Sequence, residues 1–180
     1  MEESLAVIGI DPSLRSTGVA YRASNQSVRA SCIDTKKFSG MPRVAEIRNV
    51  VSTYVMQYPP SLVVMEGYAL GFRGASNTLF GLGELGGVLK LLILEKGIDV
   101  LVVPPTSLKL FAAGKGNATK DDVKLALHNE ISVSFPTSDQ NDAAWLMFMG
   151  EAYRNSRVLP RTRTHHKRKA MLGCSLITGF

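Results

Sequence analysis

Cysteine is scarce in this 180-residue chain, and its two cysteines, Cys32 and Cys174, stand too far apart for a disulfide framework or a zinc site. They read as free thiols, one in the core and one in a C-terminal tail. Long apolar runs are missing too. The best candidate, Gly86 to Leu94, is short and broken by Lys90, which excludes a membrane-spanning helix. The opening Met1-Glu2-Glu3 is acidic where a secretory signal would be basic, so the expected location is the cytoplasm. Acidic residues stop at Glu151. The segment beyond it holds Arg154, Arg157, Arg161, Arg163, Lys167, Arg168 and Lys169, while the rest of the chain has 14 basic against 15 acidic residues. The whole net charge of +6 therefore resides in the last thirty residues. Such a segment is a handle for a polyanion, of which nucleic acid is the simplest.

What is present reads as one domain over residues 1–154 and a basic tail over 155–180. Leu5 to Ile10, Thr17 to Tyr21 and Val28 to Ile33 are apolar runs with short polar links, which predicts an antiparallel meander. Val44, Ile47, Val51, Tyr54 and Val55 fall at helical spacing, and Pro59-Pro60 ends that helix. Leu62 to Met65 and Asp99 to Val103 are buried strands separated by a helix over 78–96. Helices are also expected over 107–112, over 119–131 (with Thr119 and Asp122 spaced as a capping box) and over 139–153. Three antiparallel strands followed by βαβ crossovers give an α/β fold with a mixed five-stranded sheet flanked by helices, the order of the RNase H-like fold.

Four acids stand out. Asp11 leaves the first strand and Glu66 the fourth, and these strands are expected to be parallel neighbours. Asp139 and Asp142, three apart at a helix start, face one direction. Each has an ordinary reading: a turn former at Asp11, an arginine partner for Glu66, a helix cap at Asp139, a first-turn acid at Asp142. Together they point to chemistry. Clustered carboxylates raise one another's pKa unless a cation neutralises them, and Mg²⁺ suits such an oxygen site, with Mn²⁺ as a substitute. Two ions activate water and stabilise the leaving oxygen of a phosphodiester. Asp11 is expected to bridge both ions, with Glu66 and Asp142 on either side and Asp139 as the fourth ligand. Lys115 lies in the flexible turn Gly114-Lys115-Gly116-Asn117. Lys120 lies at a helix N-terminus, which attracts phosphate.

The segments G-I-D-P-S-L-R-S-T-G-V-A at 9–20, V-V-M-E-G at 63–67, S-L-K-L-F-A-A-G-K-G-N-A-T-K-D-D-V at 107–123 and S-D-Q-N-D-A-A-W-L at 138–146 resemble the RuvC-type Holliday junction resolvases. The resemblance covers roughly residues 5–150. It implies a homodimeric endonuclease that nicks two symmetric strands of a four-way or otherwise branched DNA, leaving ligatable 5′-phosphate ends. It also implies that Lys109 and Lys120 contact phosphate near the metals, and that the helix carrying Gly81, Gly83, Gly86 and Gly87 lies at the dimer interface. The family's loop after the strand-4 acid carries an aromatic that probes the junction. Here Tyr68 and Phe72 both qualify, and Arg73 beside them can serve phosphate. The basic tail lies beyond the resemblance. Three rivals remain at this point: a nuclease for RNA–DNA hybrid, a branched-DNA-binding protein without catalysis, and a sugar-kinase or actin-type ATPase, which would need a second such domain.

Overall fold

A computed structural model describes residues 6–23, 25–67, 76–156 and 165–179. β1 (Val7–Asp11), β2 (Ser16–Arg22) and β3 (Val28–Asp34) form the expected meander. α1 (Gly40–Gln57) crosses over to β4 (Leu62–Glu66), and α2 (Ser76–Leu94) to β5 (Asp99–Val103). There follow α3 (Pro105–Ala113), α4 (Lys120–Ile131), α5 (Ser138–Ser156), α6 (His165–Met171) and β6 (Ser175–Ile177). The sheet runs β3-β2-β1-β4-β5-β6. β1, β4 and β5 are parallel; β2 runs antiparallel to β1, β3 antiparallel to β2, and β6 antiparallel to β5.

The sixth strand corrects the expected count of five. Three residues are too few to show a strand period, so β6 left no mark in the sequence. It pairs Ser175 with Val102 and Ile177 with Val100, covering what would otherwise be an open edge of β5. Within the segment expected as a tail, the described residues thus supply a helix and a strand to the domain.

Side chains alternate across the sheet, and each face has its own core. Ile8, Ile10, Val63, Met65 and Val100 meet Val44, Ile47, Val51 and Val55 of α1 and Leu85, Leu89 and Ile93 of α2. On the other face Val7, Leu62, Val64, Leu101 and Val103 meet α3, α4, α5 and Ala170 of α6. Trp145 anchors that second core. Its indole Nε1 donates to the Val123 carbonyl at 3.1 Å, and Phe111 and Phe148 meet it edge-on.

α5 lies unusually low on its face. A Cβ on Gly9 would stand 2.1 Å from the Ala143 carbonyl oxygen, and one on Gly18 would stand 2.0 Å from that of Asp139. At Gly150 an added Cβ would come 2.5 Å from methyls of Val7 and Val64. The sheet presents bare backbone under the helix, so helix and sheet touch main chain to main chain.

Both ends that matter to the site are capped by local chemistry. Thr119 and Asp122 form the expected capping box at the start of α4. Thr137 caps α5: its Oγ1 accepts from the Gln140 N–H at 3.2 Å, while Gln140 Oε1 accepts from the Thr137 N–H at 3.1 Å. Asp139, which the sequence allowed as the cap, lies inside the first turn, and its carboxylate is left for other work.

Candidate active site

Alternation along β1 and β4 decides where the acids point. Asp11 follows Ile10 by one residue and so projects to the α5 face, as do Val7 and Gly9. Glu66 follows Met65 and projects the same way. The register pairs Ile10 with Met65 in parallel, which makes Asp11 and Glu66 neighbours at the C-terminal ends of adjacent strands. Above them, the Gly9 and Gly18 contacts hold the first turn of α5, with Asp139 and Asp142, close against the sheet.

The electrostatics record this convergence. Burial pushes the Asp11 carboxyl well above its usual range, and the charges of Glu66, Asp142 and Asp139 push it further. Asp11 and Glu66 share a hydrogen bond that favours the proton on Asp11 and the charge on Glu66. Glu66 is pushed up to about 7 by burial and then by Asp142, against the pull of Asp11, Lys109 and Lys120. Asp142 is raised to about 6, chiefly by burial; Lys120 and Lys109 oppose the rise and Asp139 adds to it. Three of the four acids therefore hold protons more tightly than free carboxylates do, the mark of negative charge crowded into a dry place.

Asp139 is fixed separately, by residues that sequence reasoning missed. Ser16 Oγ donates to its Oδ2, and Ser138 Oγ donates to its Oδ1 at 3.2 Å. Behind Ser16, the Cys32 Sγ lies 2.9 Å from the Ser16 hydroxyl. On the other side, Lys120 Nζ donates to Ser138 Oγ at 3.0 Å. A hydrogen-bonded chain thus runs from Lys120 through both serines to a thiol on β3. Two serines beside acid motifs are common in any sequence. Only the strand register and the height of α5 single these out.

Of the other residues expected at the site, Lys109 and Lys120 act directly on Glu66 and Asp142. Lys115 is engaged elsewhere: its Nζ is 3.0 Å from Asp122 Oδ2, next to the α4 cap. The Thr119 backbone N–H, then that pair and the Thr119 side chain, hold Asp122 down at about 2. Tyr68, Phe72 and Arg73 lie outside the described residues.

The donor set fits a hard divalent cation. Its oxygens are carboxylates, Asp11 is nearly inaccessible, and no cationic side chain makes a salt bridge to any of the four among the described residues. Among the described residues no three His, Cys, Asp or Glu side chains stand close enough together to hold a metal ion as they are. Side chains that repel one another have no reason to close up without a cation between them.

Sheet order, crossovers and strand-end acids define an RNase H-like domain with a carboxylate centre. The family model for crossover junction endodeoxyribonuclease RuvC matches residues 7–145, and the chain belongs to that family. It is 29% identical over 148 residues to the crossover junction endodeoxyribonuclease RuvC of Hydrogenovibrio crunogenus, spanning 80% of this chain and 84% of the relative. It is 30% identical over 124 residues to the protein of the same description from Prochlorococcus marinus subsp. pastoris, spanning 66% of this chain and 77% of the relative. Among solved structures, Thermus thermophilus RuvC in complex with Holliday junction substrate superposes with a TM-score of 0.71 at 21% identity, over 86% of this chain and 96% of that one. That likeness bears on the fold, which it matches over nearly the whole relative.

Proposed function

We propose that this chain is a structure-specific endodeoxyribonuclease that resolves four-way, and other branched, DNA by metal-dependent nicking. The observation that carries the reading is the set of Asp11, Glu66, Asp139 and Asp142 on one sheet face, with Lys109 and Lys120 beside it. Asp11, Glu66 and Asp142 would hold Mg²⁺, in two ions and replaceable by Mn²⁺, with Asp139 as a fourth ligand. When bound, the ions supply an activated water and stabilisation of the leaving 3′ oxygen.

The chain's own groups prepare that chemistry. Burial of Asp11 and half-burial of Glu66 and Asp142 strip these carboxylates of much of their solvent, which leaves their charge for a cation. Lys120 and Lys109 oppose the negative charge at Glu66 and Asp142, and their ammonium groups draw a DNA phosphate to the same place. Ser16 and Ser138 hold Asp139 in one orientation, so it does not need to be ordered when DNA arrives. Tyr68 and Phe72 are assigned to DNA contact as candidates for the aromatic of the family's loop after the strand-4 acid, Arg73 beside them to phosphate, and Lys115 by its basic turn.

Paired nicks on a twofold-symmetric junction call for two sites related by symmetry, and hence a homodimer. α2 offers a face for the second copy. Phe80 is 72% and Leu91 53% exposed, and nothing lies within 4 Å of a Cβ placed on Gly83 or Gly87. No helix among the described residues is long and apolar enough to cross a membrane. The chain's proposed place of action is DNA in the cytoplasm.

The test is a nicking assay on a labelled synthetic four-way junction, with Mg²⁺ and with EDTA, beside a three-way branch, a linear duplex and an RNA–DNA hybrid. Paired Mg²⁺-dependent nicks near the branch point are expected. Cleavage of the hybrid alone would overturn the substrate. Tight junction binding without cleavage would leave a binding protein.

A further inference from the structure

The C-terminal basic residues divide into two kinds. Arg154 is spent inside the fold, its guanidinium donating to the Ser61 carbonyl. Lys167 is spent as well. Its Nζ lies 3.5 Å from Glu130, and 5.1 and 5.6 Å from the ring centroids of Phe111 and Trp145, so it rivets α6 to α3, α4 and α5. Ala170, one turn on, is buried in the same seam, and Gly173 packs on Ser107, where an added Cβ would stand 2.6 Å from its hydroxyl oxygen. Arg168 and Lys169 are different. Both are exposed, and neither makes an ion pair among the described residues. No acidic residue follows Glu151 to neutralise them.

The place where α6 docks puts these two cations on an element next to the active-site lysines. α6 lies along α3, the helix that carries Lys109. Its His166 ring stands beside Gly114, 3.9 Å from where a Cβ would sit, in the turn that leads to Lys115 and the Lys120 end of α4. The helix that carries these free bases thus lies beside the helix of Lys109 and the turn that leads to Lys120. They lie beyond residues 7–145, the stretch matched by the family.

We propose that α6 is a docked arm-binding element, with Arg168 and Lys169 gripping the phosphate backbone of one DNA duplex arm while Lys167 holds the element in place. The inference rests on the DNA-cleaving reading above. Two unpaired cations on a short rigid helix suit backbone phosphate, which needs charge and register but no base reading. Rigid docking also means that removing residues 155–180 would uncover β5 and Trp145, so point variants are the proper probe.

The experiment compares full-length wild type, the double variant Arg168→Gln/Lys169→Gln, and Lys167→Met. Binding to a four-way junction and to a linear duplex of equal arm length is measured by anisotropy in EDTA from 50 to 200 mM salt, with thermal melts alongside. The double variant should keep its Tm and lose about 1.8 from the log–log salt slope on both DNAs, at roughly 0.9 per phosphate contact. Across that fourfold salt range its affinity should then fall about twelvefold less than that of wild type. Lys167→Met should lower Tm. An unchanged slope in the double variant would overturn the proposal, as would a slope loss accompanied by a collapsed Tm. Loss of slope on linear duplex in a protein without junction preference would leave α6 as a duplex clamp and sink the resolvase reading instead. Failure of wild type to bind either DNA would remove both.

Discussion

On one face of the sheet α1 and α2 rest on Ile8, Ile10, Val63 and Met65, and aliphatic side chains fill the gap between helix and strand. On the other face α5 rests on Gly9 and Gly18, with main chain against main chain. The two faces bury similar apolar residues, but only the second fixes a helix height that side-chain repacking cannot adjust. A core of interlocking methyls can absorb a lost or shifted carbon by small rearrangements. A carbonyl oxygen 2 Å from the next added atom cannot. The acids lie on the stiff face, where the distance between the strand ends and the first turn of α5 decides whether a cation can be shared.

The largest effect is expected at the acids themselves. Asp11→Asn should abolish cleavage while leaving junction binding in EDTA within a few-fold of wild type. Equal loss of binding and cleavage would mean that Asp11 supports the fold or the DNA and not the metal. The next largest effect separates the two faces. Gly9→Ala should cost about 3 kcal/mol of stability, at the upper end of overpacking, because the clash is with backbone. Ile47→Val on the α1 face should cost only about 1 kcal/mol. Urea denaturation of both variants checks this, and similar costs would erase the contrast between the faces.

The pH dependence of stability sharpens the comparison further. Glu66 at about 7 and Asp142 at about 6 hold protons more tightly in the folded chain than unfolded carboxylates do. Their contribution to stability is full below about pH 4 and is lost as pH rises to about 7, because the unfolded chain gives up these protons first. Asp11, whose carboxyl is also raised by burial and the neighbouring acids, loses its share in the same direction of pH. Without divalent cation, Asp11→Asn should therefore gain stability over wild type between pH 6 and 8, and no residue of the α1 face should show such an effect. A melt series across pH decides it. The smallest effect is local: Thr119→Ala should cost about 1 kcal/mol through loss of the α4 cap.

Which of these features a reader of the sequence finds depends on how far apart the partners lie. The capping box of Thr119 and Asp122 is a four-residue pattern, and β5 is a continuous apolar run. Both stand where the sequence placed them. The four acids were legible because each follows a strand run or opens a helix, and a parallel pairing of β1 and β4 was enough to bring the first two together. Ser16 as a clamp on Asp139 was not legible, because 123 positions separate them and only the contact at Gly18 brings them into reach. Nor was Lys115 bound to Asp122, since a flexible basic turn and a paired one read alike. β6 was hidden by its length, and with it the docking of α6, whose Lys167 is indistinguishable in sequence from Arg168 and Lys169.

The most direct test of the carboxylate centre needs no DNA. Thermal melts of wild type and Asp11→Asn at pH 7.5 are followed as Mg²⁺, and then Mn²⁺, is raised through the millimolar range. At ten times the dissociation constant a bound ion adds about 1.4 kcal/mol, or roughly 3–6 °C for a chain of this size. Wild type should gain that much, and Asp11→Asn little or none. An equal rise in both proteins, or none in either, would contradict a cation site built on Asp11.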